Sequence, residues 1–416
     1  AMLMRLAVKS LLQRKLAVAL IVLAMSLSLA TLLLTRSLSS ELRSSFSNSI
    51  SGTDLIVAAR SHPLQVLLYS VFRMGTPTQA MSAERWHEIG QRPQTAWTFP
   101  IVLGDSHQGY AVIGTNDDYF RHFRYGRQQA LQLSSALPAI NLQQPHFAAP
   151  LQVFIGATVA RERGYQTGDH LHLSHGSHGH SFMQHKEVDF VVAGILQLTG
   201  TPVDRSLHVH LQTLEALHDL QQAERLAKAG WQDLPEADTI SALFVGLTSR
   251  PLLFQLQNVL NQPHQEPLTA VIPGVALSEF WQLLGNAEQL LQALSLLMLI
   301  TSLLGSVAML QVTVAGRRQE IALLRIIGAR PLYLFVLLET EVLLLTLLSW
   351  LLALSMAAAT QWLAQPLLAE HYGLLIEPLL NLQDVWLYAA LSLSLALLAG
   401  LLPALSAYRL SLTTQH

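Results

Sequence analysis

Apolar positions in this chain gather into four long runs, and the first two are separated by a large block of mixed pattern. Leu16–Thr35 is free of charge between Lys15 and Arg36. Gln289–Gly316 runs uncharged from Glu288 to Arg317, Leu332–Leu363 carries Glu339 and Glu341 near its start, and Val385–Tyr408 stops at Arg409. A helix crossing a hydrocarbon core needs about 20 predominantly apolar residues. Each run meets that length, which predicts transmembrane helices over 16–35, 289–316, 332–363 and 385–408. A secretory signal is the competing reading of the first run, because Arg5, Lys9, Arg14 and Lys15 precede it. Its apolar length exceeds a signal core, and Leu32-Leu33-Leu34 follows the small-residue site near Ala30, so it reads as a retained anchor.

The block 36–288 changes period. Asp54–Ala59 is a short apolar strand. Pro63–Arg73 has helical spacing at Leu64, Leu67, Leu68 and Val71, and Ser82–Gln91 has a Ser cap with Glu84 and Arg85 in its first turn. Thr98–Leu103 and Tyr110–Gly114 read as strands of a meander about Gly104-Asp105. Ile240–Leu247, Leu252–Leu260 and Leu268–Ile272 repeat a strand–helix–strand order. The two ends of the block therefore read as one domain, with 117–236 as an inserted subdomain. In that insertion Gln128–Pro150 is rich in Gln and Pro and reads as loop. Leu151–Ile155, His170–Leu173, Val188–Leu196 and Leu207–Leu211 read as strands, and Thr213–Lys228 as a helix. Ser37–Ser47 and Leu277–Leu290 continue the flanking spans outward as helical stalks. The fold class is thus an α-helical membrane protein with four transmembrane helices and a large mixed α/β extracytoplasmic domain between the first and second.

Composition agrees with a membrane protein. Charged residues are 12% of the chain, about half the usual globular share, and mean hydropathy is +0.36. The distribution of Lys and Arg sets the orientation. Of 25, sixteen lie in 36–285, where a long domain translocates regardless of charge. The rest flank the spans at 1–15, 317–331 and Arg409, whereas 364–384 has none and carries Glu370, Glu377 and Asp384. This predicts a bacterial inner membrane protein with a cytoplasmic amphipathic segment 1–15, a cytoplasmic loop 317–331, an external loop 364–384 and a cytoplasmic tail 409–416. Both termini are cytoplasmic in this reading. There is no cysteine, so the external domain must be held by its own core. A net charge of −2, with no basic aromatic-interleaved patch, gives no sign of a nucleic-acid partner.

The most informative stretch is the loop GRRQEIALLRIIGARP, Gly316–Pro331. Arg317, Arg318, Arg325 and Arg330 stand against one Glu320, and Ile321, Leu324, Ile326 and Ile327 form an apolar stripe. A short amphipathic basic helix on the cytoplasmic face suits a soluble partner. Arg317 to Ala329 resembles the R-x-x-E-I-x-x-L-R-x-x-G-A motif of the MacB/FtsX/LolC-type ABC permeases, the mechanotransmission or type VII transporters. Leu337-Leu338-Glu339, the basic segment Arg5–Lys15, Val112–Phe120 and Phe154–Asp169 also resemble pieces of that family. The resemblance implies one span, a porter-like external α/β domain with an insertion, then three spans. It implies that Arg317, Arg318, Glu320, Ile321, Leu324, Arg325 and Gly328 form a coupling helix docking on a cytoplasmic ABC ATPase. No G-x-x-x-x-G-K-[ST] occurs here, so ATP and Mg are expected on a separate partner chain and this subunit is expected to be non-catalytic. The resemblance also implies a second permease copy, in a homodimer or a related heterodimer. A periplasmic accessory protein or lipoprotein and membrane lipids complete the expected partners.

Other residues carry weaker chemistry. His170, His172, His175, His178, His180 and His185 fall in one short run, and His208 and His210 repeat the i, i+2 spacing. Imidazoles at such density suit zinc; the competing reading is a polar Gly-Ser-His hairpin tip. Ser302, Gly305 and Ser306 make a small-residue stripe fit for a dimer seam, although such residues are common in spans. Glu339 and Glu341 lie near the membrane interface, where snorkelling or pairing with Arg325 or Arg330 explains them better than transport does. Asp204 and Arg205 follow a Gly-Pro turn. The leading function is a permease subunit that transmits ATPase motion to an external domain acting on a lipoprotein, lipid, amphiphile or peptide. The alternative is a membrane-anchored, metal-responsive sensor built on the His-rich domain.

Overall fold

The computed structural model describes residues 2–50, 52–175, 183–184, 188–217, 230–262, 266–316, 331–372 and 381–413. The chain divides into two units, one made of 1–41, 284–366 and 376–416, the other of 42–283 with 367–375.

The described helices, in chain order, are α1 (Met2–Leu12), α2 (Lys15–Asn48), α3 (Pro63–Ser70), α4 (Ala83–Gly90), α5 (Asp117–His122), α6 (Ala157–Arg163), α7 (Leu211–Leu217), α8 (Leu253–Leu260), α9 (Pro273–Gly316), α10 (Pro331–Tyr372) and α11 (Leu382–Thr413). Four of them hold segments long and apolar enough to cross a membrane: Lys15–Asn48, Pro273–Val312, Phe335–Pro366 and Leu382–Leu401. Hydrocarbon leaves no solvent for free backbone groups, so apolar runs of this length close their hydrogen bonds as helix. At about 1.5 Å per residue, α2 is about 51 Å long and α9 about 66 Å, both well beyond a core of about 30 Å. The expected outward extensions are thus continuous helix.

In the first unit, α2 splits its apolar residues between two faces. Met25, Leu29 and Leu33 turn inward against Leu299 and Leu303 of α9, Leu338 and Val342 of α10 and Ala396 of α11. Leu16, Leu20, Leu23 and Leu27 point outward. Hydroxyls inside the bundle return to their own helices, as Ser28 Oγ donates to Ala24 O and Thr346 Oγ1 to Val342 O. Other polar contacts bridge helices: Trp350 Nε1 donates to Ser392 Oγ at 2.8 Å, and Gln361 Nε2 to Ser37 Oγ at 2.9 Å.

The second unit is built on short strands. Those described are β1 (Leu55–Ala59), β2 (Met81–Ser82), β3 (Thr95–His107), β4 (Tyr110–Thr115), β5 (Arg124–Tyr125), β6 (Gln129–Ala130), β7 (Leu133–Ala136), β8 (Gln152–Ile155), β9 (His170–Leu171), β10 (Ser174–His175), β11 (Met183–Gln184), β12 (Phe190–Leu196), β13 (Ser206–His210), β14 (Thr239–Ile240), β15 (Ala242–Leu247) and β16 (Leu268–Val271). Nine of them form a path in the order β16-β1-β15-β3-β4-β13-β8-β12-β7. β4–β13 and β8–β12 are parallel, and the other pairs of the path are antiparallel. β1 is buried throughout because both its faces are covered. Leu55 and Val57 enter a cluster with Leu243, Val245, Leu256 and Leu268, while Ile56 and Ala58 enter another with Val66, Phe99 and Phe244. That split is the strand period of two.

The long strand β3 joins the two halves of the sheet. Its first part pairs with β15 and its last part with β4. The expected turn at Gly104-Asp105 is instead a bulge inside β3, where the register shifts between Leu103 and Asp105 and Gly104 has φ +146°. The chain reverses later, at Gln108-Gly109, whose positive φ values of 49° and 90° are those of a tight hairpin turn. A second correction concerns Gln128–Pro150, expected as loop. It contains β6 and β7, and β7 closes the sheet against β12. Leu131, Leu133, Ile140 and Phe147 are buried there, so a few apolar residues spread among polar ones suffice to anchor it. The strands of 117–236 extend the sheet through β4–β13 pairing. Of the helix expected over Thr213–Lys228, α7 supplies Leu211–Leu217, and 218–229 lie outside the described residues.

Candidate functional site

The segments expected to connect domain and membrane end in a shared aromatic cluster of the second unit. The last turns of α2 bring in Leu42 and Phe46, the first turns of α9 bring in Ala276, Leu277, Phe280 and Trp281, and Phe72 follows α3. Phe46 lies 4.0 Å from Phe72, 6.0 Å from Phe280 and 5.5 Å from Trp281, ring centroid to centroid. The guanidinium of Arg43 sits 5.5 Å above the Trp281 ring. Pairs of this kind contribute about 0.5–1.5 kcal/mol each beyond the area they bury. Both helix ends are therefore set in the same core that packs Ile56, Phe99 and Phe244 of the sheet. Sequence reasoning placed helices here but missed this cluster, whose only local signal is Phe280-Trp281 in an otherwise helical stretch.

The expected coupling residues Arg317, Arg318, Glu320, Ile321, Leu324, Arg325 and Gly328 lie outside the described residues. α9 ends at Gly316 and α10 begins at Pro331, so the segment joins the second and third apolar helices. Of the small-residue stripe, Ser306 is buried and Gly305 opens onto free space. Ser302 and Ser306 donate to Met298 O and Leu303 O of their own helix.

The histidine run begins on β9 and continues into the β10–β11 hairpin. Ser174 and His175 pair with Ser106 and Asp105 of β3, which docks the hairpin beside the β3 bulge. His170 and His172 are exposed. His172 Nδ1 lies 3.0 Å from Asp189 Oδ1, and the His172 carbonyl lies 2.5 Å from His107 Nδ1. His178, His180 and His185 lie outside the described residues, as does the side chain of His175. Among the described residues no group of three or more His, Asp or Glu is placed to hold a metal.

The second i, i+2 histidine pair has a different fate. His208 is fully buried in β13, with Nε2 3.1 Å from the Tyr119 hydroxyl. Tyr119 in turn bonds Arg73, which adopts a positive φ of 59° just past α3. Burial pushes His208 down to about 3, and the Arg73 charge adds to that shift. His210 is pushed down to about 4 by burial, partly offset by Asp117. The turn after β12 is equally internal. Asp204 accepts from Thr199 N, Thr199 Oγ1 and Gly200 N at 2.7–2.8 Å, while burial raises its pKa. Arg205 pairs with Glu162 at 2.9 Å and lies over the Tyr110 ring. Gly156 is needed beneath this turn, because a Cβ there would meet Asp204 O at 2.3 Å.

Two family profiles match the chain: residues 16–247 as a MacB-like periplasmic core domain and residues 293–412 as an FtsX-like permease C-terminal region. The first spans more than half of the sequence. The chain belongs to the MacB/FtsX-type family of ABC transporter permeases, and is a membrane protein with a periplasmic domain. Among solved structures it is similar to the periplasmic region of MacB from Actinobacillus actinomycetemcomitans, with 10% identity over 55% of this chain and 93% of that one and a TM-score of 0.32. It is also similar to the extracellular domain of the noncanonic ABC-type transporter YknZ from Gram-positive bacteria, with 10% identity over 53% and 99% of the two chains and a TM-score of 0.31. No curated protein matches it.

Proposed function

We propose that this permease is a lever. A cytoplasmic ABC ATPase engages Arg317–Ala329, and its closure moves the apolar helices of two permease copies. The external domains then act on a lipoprotein, lipid, amphiphile or peptide. The observation that carries this reading is the seating of α2 and α9 in one aromatic cluster around Phe46. A displacement of either helix end must move the packed core with it, since close-packed interiors transmit strain and do not absorb it. ATP and Mg belong to the ATPase in this scheme. The proposed orientation in the inner membrane puts both termini and 317–331 in the cytoplasm.

The chain contains no cysteine, which makes a direct test simple. Asn258 is exposed on α8, so Asn258→Cys provides one spin label per copy. In lipid nanodiscs with the ATPase bound, the distance between copies is expected to differ between the nucleotide-free and ATP-trapped states. The triple variant Arg317→Ala/Arg318→Ala/Glu320→Ala should abolish that change while leaving the fold intact. Identical distances in both states of the unsubstituted coupling segment, or an undiminished change in the triple variant, would refute the lever. The metal-sensor alternative has no supporting cluster among the described residues.

A further inference from the structure

α10 carries two carboxyl groups near its start, and their surroundings differ. Glu341 makes an interaction of its own. Glu339 is 9% exposed, and both its carboxyl oxygens are buried without a hydrogen-bond partner among the described residues. The opposing helix makes room for it. A Cβ on Gly400 of α11 would lie 2.6 Å from Oε2 and 3.0 Å from Oε1 and Cδ, so the carboxyl occupies the space that the missing side chain leaves at this crossing. Beside these two residues in sequence, Leu338, Val342 and Ala396 belong to the bundle's apolar core.

Among the described residues no charged group compensates it. On α11 the nearest titratable residues with described side chains are Tyr388 and Asp384, and Gly400 lies twelve residues, about 18 Å, beyond Tyr388 along the helix. Asp384 and Glu288 of α9 are taken by Arg36 of α2, at 3.6 Å and 3.5 Å. Lys15 stands at the start of α2, and no ion pair joins it to Glu339. Arg325, Arg330 and the side chain of Arg409 lie outside the described residues. Among the described ones Glu339 has neither donor nor cation, and an ionised carboxylate so placed between helices is among the costliest arrangements a bundle can hold, whereas an uncharged acid is tolerated.

We propose that Glu339 is a proton-binding site within the bundle. The carboxyl carries its proton while α10 and α11 are packed at Gly400. It gives that proton to water when the two helices part, so opening the crossing is linked to proton release. The site rests on the membrane-spanning arrangement of the helices and not on the nature of the cargo or on the lever.

Dicyclohexylcarbodiimide is an apolar probe for such a group. It takes up the acid proton on one nitrogen while the carboxyl oxygen bonds its central carbon, and rearrangement leaves a stable N-acylurea on the side chain. The full chain in nanodiscs is treated at about pH 6 and about pH 9 and examined by peptide mass spectrometry. Glu339 is expected to be modified several-fold more at the lower pH. A water-soluble carbodiimide should spare Glu339 and modify Glu279, which is exposed on α9. Glu339→Gln keeps the size of the group without an ionisable proton, and its thermal midpoint should match the parent chain. Three results would each overturn the proposal: no adduct at Glu339 at either pH, equal modification at both, or a large loss of midpoint in Glu339→Gln.

Discussion

Acid should weaken the periplasmic domain through His208, by an amount that follows from its position. The imidazole is fully buried on β13, the strand between β4 and β8, and it meets the Tyr119 hydroxyl. Its folded pKa is about 3, set first by burial and then by Arg73. The unfolded chain titrates near 6.5. A base with a depressed folded pKa is neutral in the fold, so as pH falls below the unfolded value the unfolded chain takes up a proton that the native one refuses. Stability is therefore complete above about pH 6.5 and is lost progressively down to about pH 3. Linkage gives a loss of about 2 kcal/mol between pH 7 and pH 5, rising to about 4 kcal/mol at pH 3. His210 acts in the same direction with a smaller share, because solvent reaches it. The assay is urea unfolding of the detergent-purified chain, followed by tryptophan fluorescence at pH 7 and pH 5. The parent is compared with His208→Gln, which can still accept from Tyr119 and does not titrate. The difference in unfolding free energy between the two pH values should shrink by about 2 kcal/mol in the variant. An equal pH dependence in parent and variant refutes the reasoning, whatever the variant's absolute stability.

Gly156→Ala should cost about 2–3 kcal/mol, since the added methyl meets backbone atoms of Asp204 that cannot swing aside; a thermal midpoint unchanged from the parent would show that the turn is not fixed. Zinc titration by calorimetry should give the same affinity for the parent and for His170→Ala/His172→Ala, because among the described residues these two exposed imidazoles, one of them turned to Asp189, belong to no group of three placed to hold a metal. A large loss of affinity in the double variant would establish them as ligands. Reporter fusions after Gly104 and at His416 should report opposite sides of the membrane; the same side for both would contradict the orientation drawn from Lys and Arg.

The membrane part was readable in the sequence because the bilayer imposes one local rule. A long run such as 289–316 can satisfy its backbone only as helix, and no distant residue can change that. β1 was readable for a related reason. LIVAA is buried on both faces, so its composition reports its burial directly. β7 was not, because LSSA takes its place from pairing with β12, some sixty residues further on. The aromatic cluster at Phe46 escaped for the same cause: Phe46, Phe72 and Trp281 meet only once the sheet has brought their helices together. The reversal between β3 and β4 escaped through a local ambiguity. Gly104 and Gly109 both permit positive φ, and pairing of Asp105 with Val112 selects the second as the turn.

The histidines show where spacing ends as a guide. His170/His172 and His208/His210 have the same i, i+2 separation, and each pair begins on a strand. Among the described strands β9 pairs with β12 alone and is only two residues long; Leu171 turns into the core, while His170 and His172 on either side of it are exposed. β13 is flanked by β4 on one side and β8 on the other, and α7 follows it directly. There the same residue type is stripped of water and held by Tyr119. A count of histidines points to the 170–185 run, yet the strongest perturbation among the described histidines belongs to His208, in the core. What separates the two pairs is the number of strands beside them, which depends on residues up to a hundred positions away. Acid sensitivity at the second pair is a consequence of that placement, and a substitution that loosened β8 from β13 should move the pKa of His208 back up from about 3.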